Sequence, residues 1–339
     1  MSEPLCPIRA QCGGCPRMDS PLLTQHAEKM ALVERAAGRP VDTFVPSPRG
    51  LGYRARIDLS VGPTGRLGYN RPRSHDHNAI DACAIARPEV NEALAKLNAA
   101  IPDARGLDRL ELRSNGVDVV LHARLADRGV RPEAARALLQ AAPMPVALNG
   151  KNLKGDAKLR LTVAGVEHQL SPETFYQVNL EVNEALVDAL RALILPLKPA
   201  GVLDLYGGAG NLSMPLAAAG VPVTLIEREG AAIRDAQATV KRLGLPLKAV
   251  SGDAGRFKAG DQFFEVAVID PPRAGAPGLL DQLIVTRPKA IAVVSCNPSA
   301  LGRDIGPALK AGYVVDRLIA FDMFPHTDHV EALCWLTRR

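Results

Sequence analysis

The chain has 339 residues, is 47% hydrophobic and 23% charged, and carries a formal net charge of +5. That is an ordinary soluble globular profile, long enough for two or three domains with a sizeable core, with a mild lean toward polyanionic partners. A membrane span is excluded where it would be sought first: the uncharged run from Leu205 to Ile226 is broken by glycines, two prolines and Asn211.

The N-terminal stretch CPIRAQCGGCPRM is rich in Cys and Gly and reads as a compact loop. No basic start followed by an apolar core precedes it, so a cytoplasmic protein is expected. Disulfides are disfavoured there, and the six cysteines need another use. A helix over about Pro21 to Ala37 comes next, with Leu22, Leu23, Ala27, Met30 and Val33 near helical spacing; Gly38 and Pro40 end it. From about 49 to 167, short alternating or apolar stretches (RARIDLSV, RLELRS, VDVVLHARL, LRLTVAG) separated by Gly and Asn turns predict a β-rich module, interrupted by a helix over about Pro88 to Ala99. From about 168, VLDLY, VTLIE, VAVIDPP and AIAVVSC alternate with helical stretches, which predicts a parallel α/β sheet. The tail breaks that rhythm, with YVVDRLIAFDMF and ALCWLTR as an antiparallel pair. The expected division is therefore 1–48, 49–167 and 168–339.

VLDLYGGAGNLSMPLA runs strand, glycine loop, helix, an arrangement that brings backbone N–H groups close to a ligand. The next strand ends in Glu227, placed to accept both hydroxyls of a ribose. Ser213 stands where a nicotinamide-type fingerprint needs its last glycine, and Asp204 enters the loop as an acid. Both features favour S-adenosylmethionine, whose amino-acid end is cationic. VAVIDPPRAG places Asp270 at a strand's carboxyl end before a rigid turn. The turn resembles that of amino-group methyltransferases, but Arg273 replaces the aromatic that stacks on their target base.

Cys296, in VVSCNPS, closes the next apolar strand; Glu331, in FPHTDHVEAL, enters the last one. C5 of a pyrimidine is a poor nucleophile. A thiolate adding to C6 makes it enolate-like, and a separate carboxylate must then remove the C5 proton. Cys296 and Glu331 supply that pair at one sheet edge. Cys334, inside ALCWL, reads as core, while His326 and His329 read as surface or loop-ordering residues.

QVN, DLYGGAGN, DPPRAG, SCNPSALGRD and HVEAL together resemble the RNA uridine-C5 methyltransferases. The resemblance implies a Rossmann-like class I methyltransferase domain with an antiparallel C-terminal strand pair. It is preceded by a smaller β-rich RNA-binding module and a Cys-rich loop. It also implies Cys296 as nucleophile and Glu331 as base. Cofactor contacts fall on Gln177, Tyr206, Asn211, Glu227 and Asp270, with Asp253 at the adenine-side position. The loop reads GGAG where many members have CGxG, which leaves its conformational role in place.

Cys6, Cys12 and Cys15 are spaced C-x5-C-x2-C, and Cys83 lies apart in DACAIARP. Such a three-plus-one set suits zinc or an iron–sulfur cluster, and spacing does not choose between them. The resemblance does: the ribosomal-RNA branch carries a [4Fe–4S] cluster on this pattern. Residues 49–73 hold six arginines against one acid, Asp58, with Tyr53 and Tyr69 interleaved, which predicts an RNA-facing strand. The target uracil must leave its stack to meet Cys296, so an unpaired loop is the expected substrate. The chain begins almost at the cysteines, like the shorter ribosomal-RNA members. Large-subunit ribosomal RNA is therefore the expected substrate, transfer RNA the alternative, and a monomer the expected state. The rival from another class is a non-catalytic, cluster-bearing RNA-binding protein, which has no need of Cys296 and Glu331.

Overall fold

A computed structural model describes residues 5–71, 74, 76–126, 132–258 and 264–338. The helix Leu22–Ala37 ends on Gly38, whose φ of 69° gives the left-handed cap that a side chain would resist. Its buried face is Gln25, Lys29, Val33 and Ala37, spaced four apart but half polar. Strand β1 (Thr43–Val45) then leaves this segment to join a sheet built mostly from the far end of the chain.

The β-rich module holds β2 (Arg56–Val61), β3 (Leu67–Asn70), β4 (His77–Ala79), β5 (Leu107–Ser114), β6 (Val119–Leu125), β7 (Val146–Leu148) and β8 (Lys151–Lys154). They form one sheet in the order β4-β3-β2-β5-β6-β7-β8, antiparallel except for β6 with β7. Leu94 and Leu97 of the helix Pro88–Ala100 share a core with Leu110, Leu112 and Leu121 of the sheet. A separate hairpin comes after it, β9 (Leu159–Val163) against β10 (Val166–Leu170), alternating buried and less buried side chains. The expected 167/168 boundary falls inside this hairpin. Its inner face packs with the helix Leu180–Ile194 and the glycine-loop region in one core.

The large sheet comprises β1 with β11 (Val202–Leu205), β12 (Val223–Glu227), β13 (Leu247–Ser251), β14 (Val266–Ile269), β15 (Ala290–Ser295), β16 (Tyr313–Phe321) and β17 (Glu331–Arg338). Their order is β1-β16-β17-β15-β14-β11-β12-β13. β11 to β15 are parallel; β17 inserts antiparallel to both β15 and β16, as the tail predicts. β11, β14 and β15 are buried on both faces, which is why they read as unbroken apolar runs. β11 lies between β12 and β14, so the chain reverses direction there and opens a crevice at the strands' carboxyl ends. Among the described residues, no helix is long and apolar enough to cross a membrane.

The helix Pro298–Lys310 packs on Leu22–Ala37 through Gly302, where an added Cβ would stand 2.5 Å from the Ala36 carbonyl oxygen. Gly302→Ala therefore forces two backbones apart. It is expected to lower unfolding stability by about 1–3 kcal/mol in urea titrations.

Candidate active site

A cleft opens at the carboxyl ends of β11 and β14, lined on its polar side by Gln177, Tyr206, Gly207, Gly208, Asn211 and Asp270. Leu161, Leu170 and Tyr176 form its apolar wall. Four of the six predicted cofactor residues thus meet in one place. Tyr206 turns the chain out of β11 with φ 61°, a left-handed conformation costly for a bulky residue and typical of over-determined functional turns. Gly207 is obligatory: a Cβ there would lie 2.6 Å from both Asp204 Oδ2 and Leu225 Cγ.

Glu227, at the end of β12, ties the loop down. Its Oε2 accepts from the Gly208 N–H at 3.0 Å, and Oε1 accepts from the N–H groups of Arg228 and Glu229 at 2.6 and 2.7 Å. Oε2 keeps a lone pair for a ligand hydroxyl, whereas Oε1 is filled by its two N–H donors. Asp253 comes just after β13 and caps the next turn through the Gly255 N–H at 3.0 Å. The Tyr206 hydroxyl reaches toward the same glycine, so Tyr206 and Asp253 stand beside each other. Asn211 is held by a reciprocal amide pair with Asn183, at 2.8 and 2.9 Å.

A cationic adenosyl-amino acid fits these residues on one observation above all. Asp204 is fully buried beneath the loop, and neither of its carboxylate oxygens has a hydrogen-bond partner. Burial, and then the charge of Glu227, push it up to about 7, against a lowering influence from Ser213. Buried acids without partners are costly, and a bound cation above the loop relieves that cost. Asp270 borders the same cleft; burial and the Asp204 charge push it, too, up to about 7.

Strand register brings the two residues expected to be catalytic together. Ser295 of β15 pairs with Ala332 of β17, so one further step along the antiparallel ladder sets Cys296 opposite Glu331. The odd sequence around the cysteine is a strand end fused to a helix start. The Asn297 side chain caps the helix Pro298–Lys310 by accepting from the Ser299 N–H at 3.1 Å, and Pro298 occupies its first turn. Asn297 Nδ2 also donates to the Arg273 carbonyl at 2.9 Å, tying the thiol's strand to the turn after Asp270. Cys296 is half-buried; burial first, then Glu331 and Asp270, push its thiol up to about 11, opposed by Arg273. Glu331 is 3% exposed with Oε1 unpartnered; burial and Asp270 hold it well above the ordinary carboxylate range. Cys334 is fully buried in the core.

Cys6, Cys12, Cys15 and Cys83 line a second cavity, of about 290 Å³, between the N-terminal loop and the β-rich module. Asn91 grips the Cys83 turn, accepting from the Cys83 N–H at 2.8 Å and donating to its carbonyl at 3.0 Å. Burial, then the other thiols, raise Cys15 to about 12. Among the described residues, no three His, Cys, Asp or Glu side chains are grouped so as to share one metal ion.

The basic stretch 49–73 departs from its prediction at Tyr53, while Arg71 is exposed. Tyr53 is 1% exposed, packed with Met18 and Ile85, and so cannot stack on a nucleotide; Tyr69 lines the thiol cavity. Arg49, Arg56 and Arg66 pair with Glu181, Glu111 and Asp81, and Arg54 lines the thiol cavity. Arg73 lies outside the described residues. Among the described residues the exposed aromatic is instead Phe175, 60% exposed beside the cleft, with the Arg56 guanidinium 4.9 Å from its ring centroid. Its position two residues before Gln177 is the signal that could have found it. Asn183, a polar residue on the buried face of its helix, is the other residue missed.

Residues 257–339 match the family described as tRNA (Uracil-5-)-methyltransferase. The "23S rRNA (uracil(1939)-C(5))-methyltransferase RlmD" of Edwardsiella ictaluri is 30% identical over 97% of this chain and 80% of its own length. The protein of that name from Klebsiella pneumoniae is 31% identical over 99% of this chain and 82% of its own. The solved tRNA (uracil-54, C5)-methyltransferase of Pyrococcus abyssi, in complex with S-adenosyl-L-homocysteine, superposes with TM-score 0.81 at 25% identity, covering 96% of this chain and 86% of that one.

With a thiol held up to about 11, Cys296 is protonated in the free protein at neutral pH. Its alkylation by iodoacetamide, read by peptide mass spectrometry, should accelerate about tenfold per pH unit without a plateau below about pH 9.5. A plateau near pH 7 would show that the thiolate is already formed.

Proposed function

The chain belongs to the S-adenosylmethionine-dependent RNA uracil-C5 methyltransferases, and from that premise we propose that it methylates one uridine of 23S ribosomal RNA through a covalent adduct on Cys296. The carrying observation is the register that sets Cys296 opposite Glu331, both within reach of the charge of Asp270, which lines the cleft with Gln177 and Asn211.

S-adenosylmethionine supplies the methyl group as a sulfonium. Cys296 gives up its thiol proton to solvent and its Sγ forms a bond to C6 of the uracil; the C5–C6 π pair moves into the ring as an enolate, from which C5 takes the methyl group while the methyl–sulfur bond breaks and its electron pair stays on the departing thioether. Glu331 then accepts the C5 proton; the C–H pair re-forms C5=C6, and the C6–S bond breaks to release the thiolate. A carboxyl held above its ordinary range is a stronger base once ionised, which suits the weakly acidic C5–H. Arg273 favours the thiolate, and its Nη2 lies 3.0 Å from His329 Nε2. The Phe175–Arg56 pair offers a flat, cationic-backed surface for an unpaired base, which supports a single-stranded target. The names of the full-length relatives support ribosomal RNA over transfer RNA.

Cys6, Cys12, Cys15 and Cys83 would hold a [4Fe–4S] cluster, which ties the N-terminal loop to the β-rich module. Support comes from four thiols around one cavity, since a cluster gives each thiolate its own iron.

Cys296→Ala should abolish methyl transfer, by at least about 10⁴-fold, and the adduct that wild type forms with 5-fluorouridine RNA. Full turnover in that variant would eliminate the covalent route. Label appearing in transfer RNA but not in 23S RNA, from unmodified transcripts, would overturn the substrate. An anaerobic brown protein with about four irons and four sulfides per chain is expected; a colourless protein with one zinc would overturn the cluster.

A further inference from the structure

The segment that carries Glu331 into the sheet, residues 322–330, is gripped from the N-terminal end of the chain. At its centre is His326, a non-glycine residue at φ 65°. That conformation persists only where neighbours over-determine it. Its N–H donates to Gln25 Oε1 at 2.9 Å, its carbonyl accepts from the Arg17 N–H at 3.0 Å, and its Nδ1 lies 3.3 Å from Gln25 Nε2. Gln25, 1% exposed, is itself oriented by donating to the Arg17 and Ser20 carbonyls at 3.0 and 2.8 Å. On one side the Tyr53 hydroxyl donates to the Pro325 carbonyl at 3.2 Å. On the other, Lys29 is buried against Asp322 at 2.5 Å and donates to the Phe324 carbonyl at 3.0 Å. The polar half of the first helix's buried face is thus spent on this one loop. The loop brings His329 and then Glu331 to the rim.

We infer that Gln25 is a positioning residue for proton removal, and that the N-terminal segment is a strut holding Glu331 at the C5–H. The inference rests on the covalent reading above. Thiol addition and methyl transfer need Cys296 and the cleft, and the hydrogen bonds that Gln25, Lys29 and Tyr53 make to the loop reach neither. Only the last step needs Glu331: its carboxylate gains the C5 proton, the C–H pair re-forms C5=C6, and Cys296 departs as thiolate. A displacement on the order of 1 Å at such a step can cost up to a hundredfold in rate.

Gln25→Leu is the test, with Tyr53→Phe beside it as a smaller lesion that keeps the packed ring. Both should form the 5-fluorouridine adduct, which lacks a C5 proton to remove, at the wild-type rate. On ordinary RNA, turnover of Gln25→Leu should fall about tenfold and that of Tyr53→Phe about threefold. RNA carrying 5-deuterouridine should then show a primary isotope effect in the variants larger than in wild type. Adduct formation and turnover falling together, or unchanged turnover in both variants, would overturn the inference alone. A wild-type protein that forms no adduct would overturn the covalent reading and the inference with it.

Discussion

The structure depends on one antiparallel strand in an otherwise parallel sheet, β17, inserted between β15 and β16. A parallel neighbour would carry its own carboxyl end to the rim, and the residue entering it would lie at the opposite edge. Because β17 runs the other way, its first residue meets the last residues of β15. The proposed nucleophile at one strand's end and the proposed base at another strand's beginning therefore face each other without any long loop to aim them. Reversing that strand would separate Cys296 from Glu331 by the height of the sheet.

Electrostatics then sets the condition of the site. Asp204 and Glu331 are buried and Asp270, partly exposed to the cleft, stands between them; each raises the next, and none has a salt-bridge partner among the described residues. Burial and the charge of the neighbouring acid thus oppose ionisation along the row. A cationic cofactor over Asp204 changes that balance most directly, because it compensates the innermost charge. The cleft is accordingly better suited to a sulfonium donor than to an anionic dinucleotide, in keeping with the departure of its glycine loop from the nicotinamide pattern.

Much of this was legible in the sequence, for physical reasons. Fully buried strands have no polar face, so β11, β14 and β15 appear as short apolar runs, and the residue that closes each run lands at the rim. That logic places Asp270 and Cys296 without any coordinates. Contacts made by short or polar elements were not legible. β1 has three residues and only partial burial, too little for a periodic signal. Tyr53 reads as an exposed RNA contact because its neighbours are arginines; its burial comes from Met18 and Ile85, which no local pattern connects to it. The hairpin β9–β10 resembles the strands before it locally, yet its inner face belongs to the core of the large sheet. Gln25 and Lys29 look like a solvated helix face, because their partners lie some 300 residues away.

The central claim is the division of labour between a thiol that joins the RNA and a carboxyl that lets it go. Glu331→Gln, incubated with target RNA and methyl-labelled S-adenosylmethionine, tests it most directly on a denaturing gel. The account predicts that label accumulates in a covalent protein–RNA band, since methylation proceeds but release does not. Free methylated RNA appearing at the wild-type rate would contradict it.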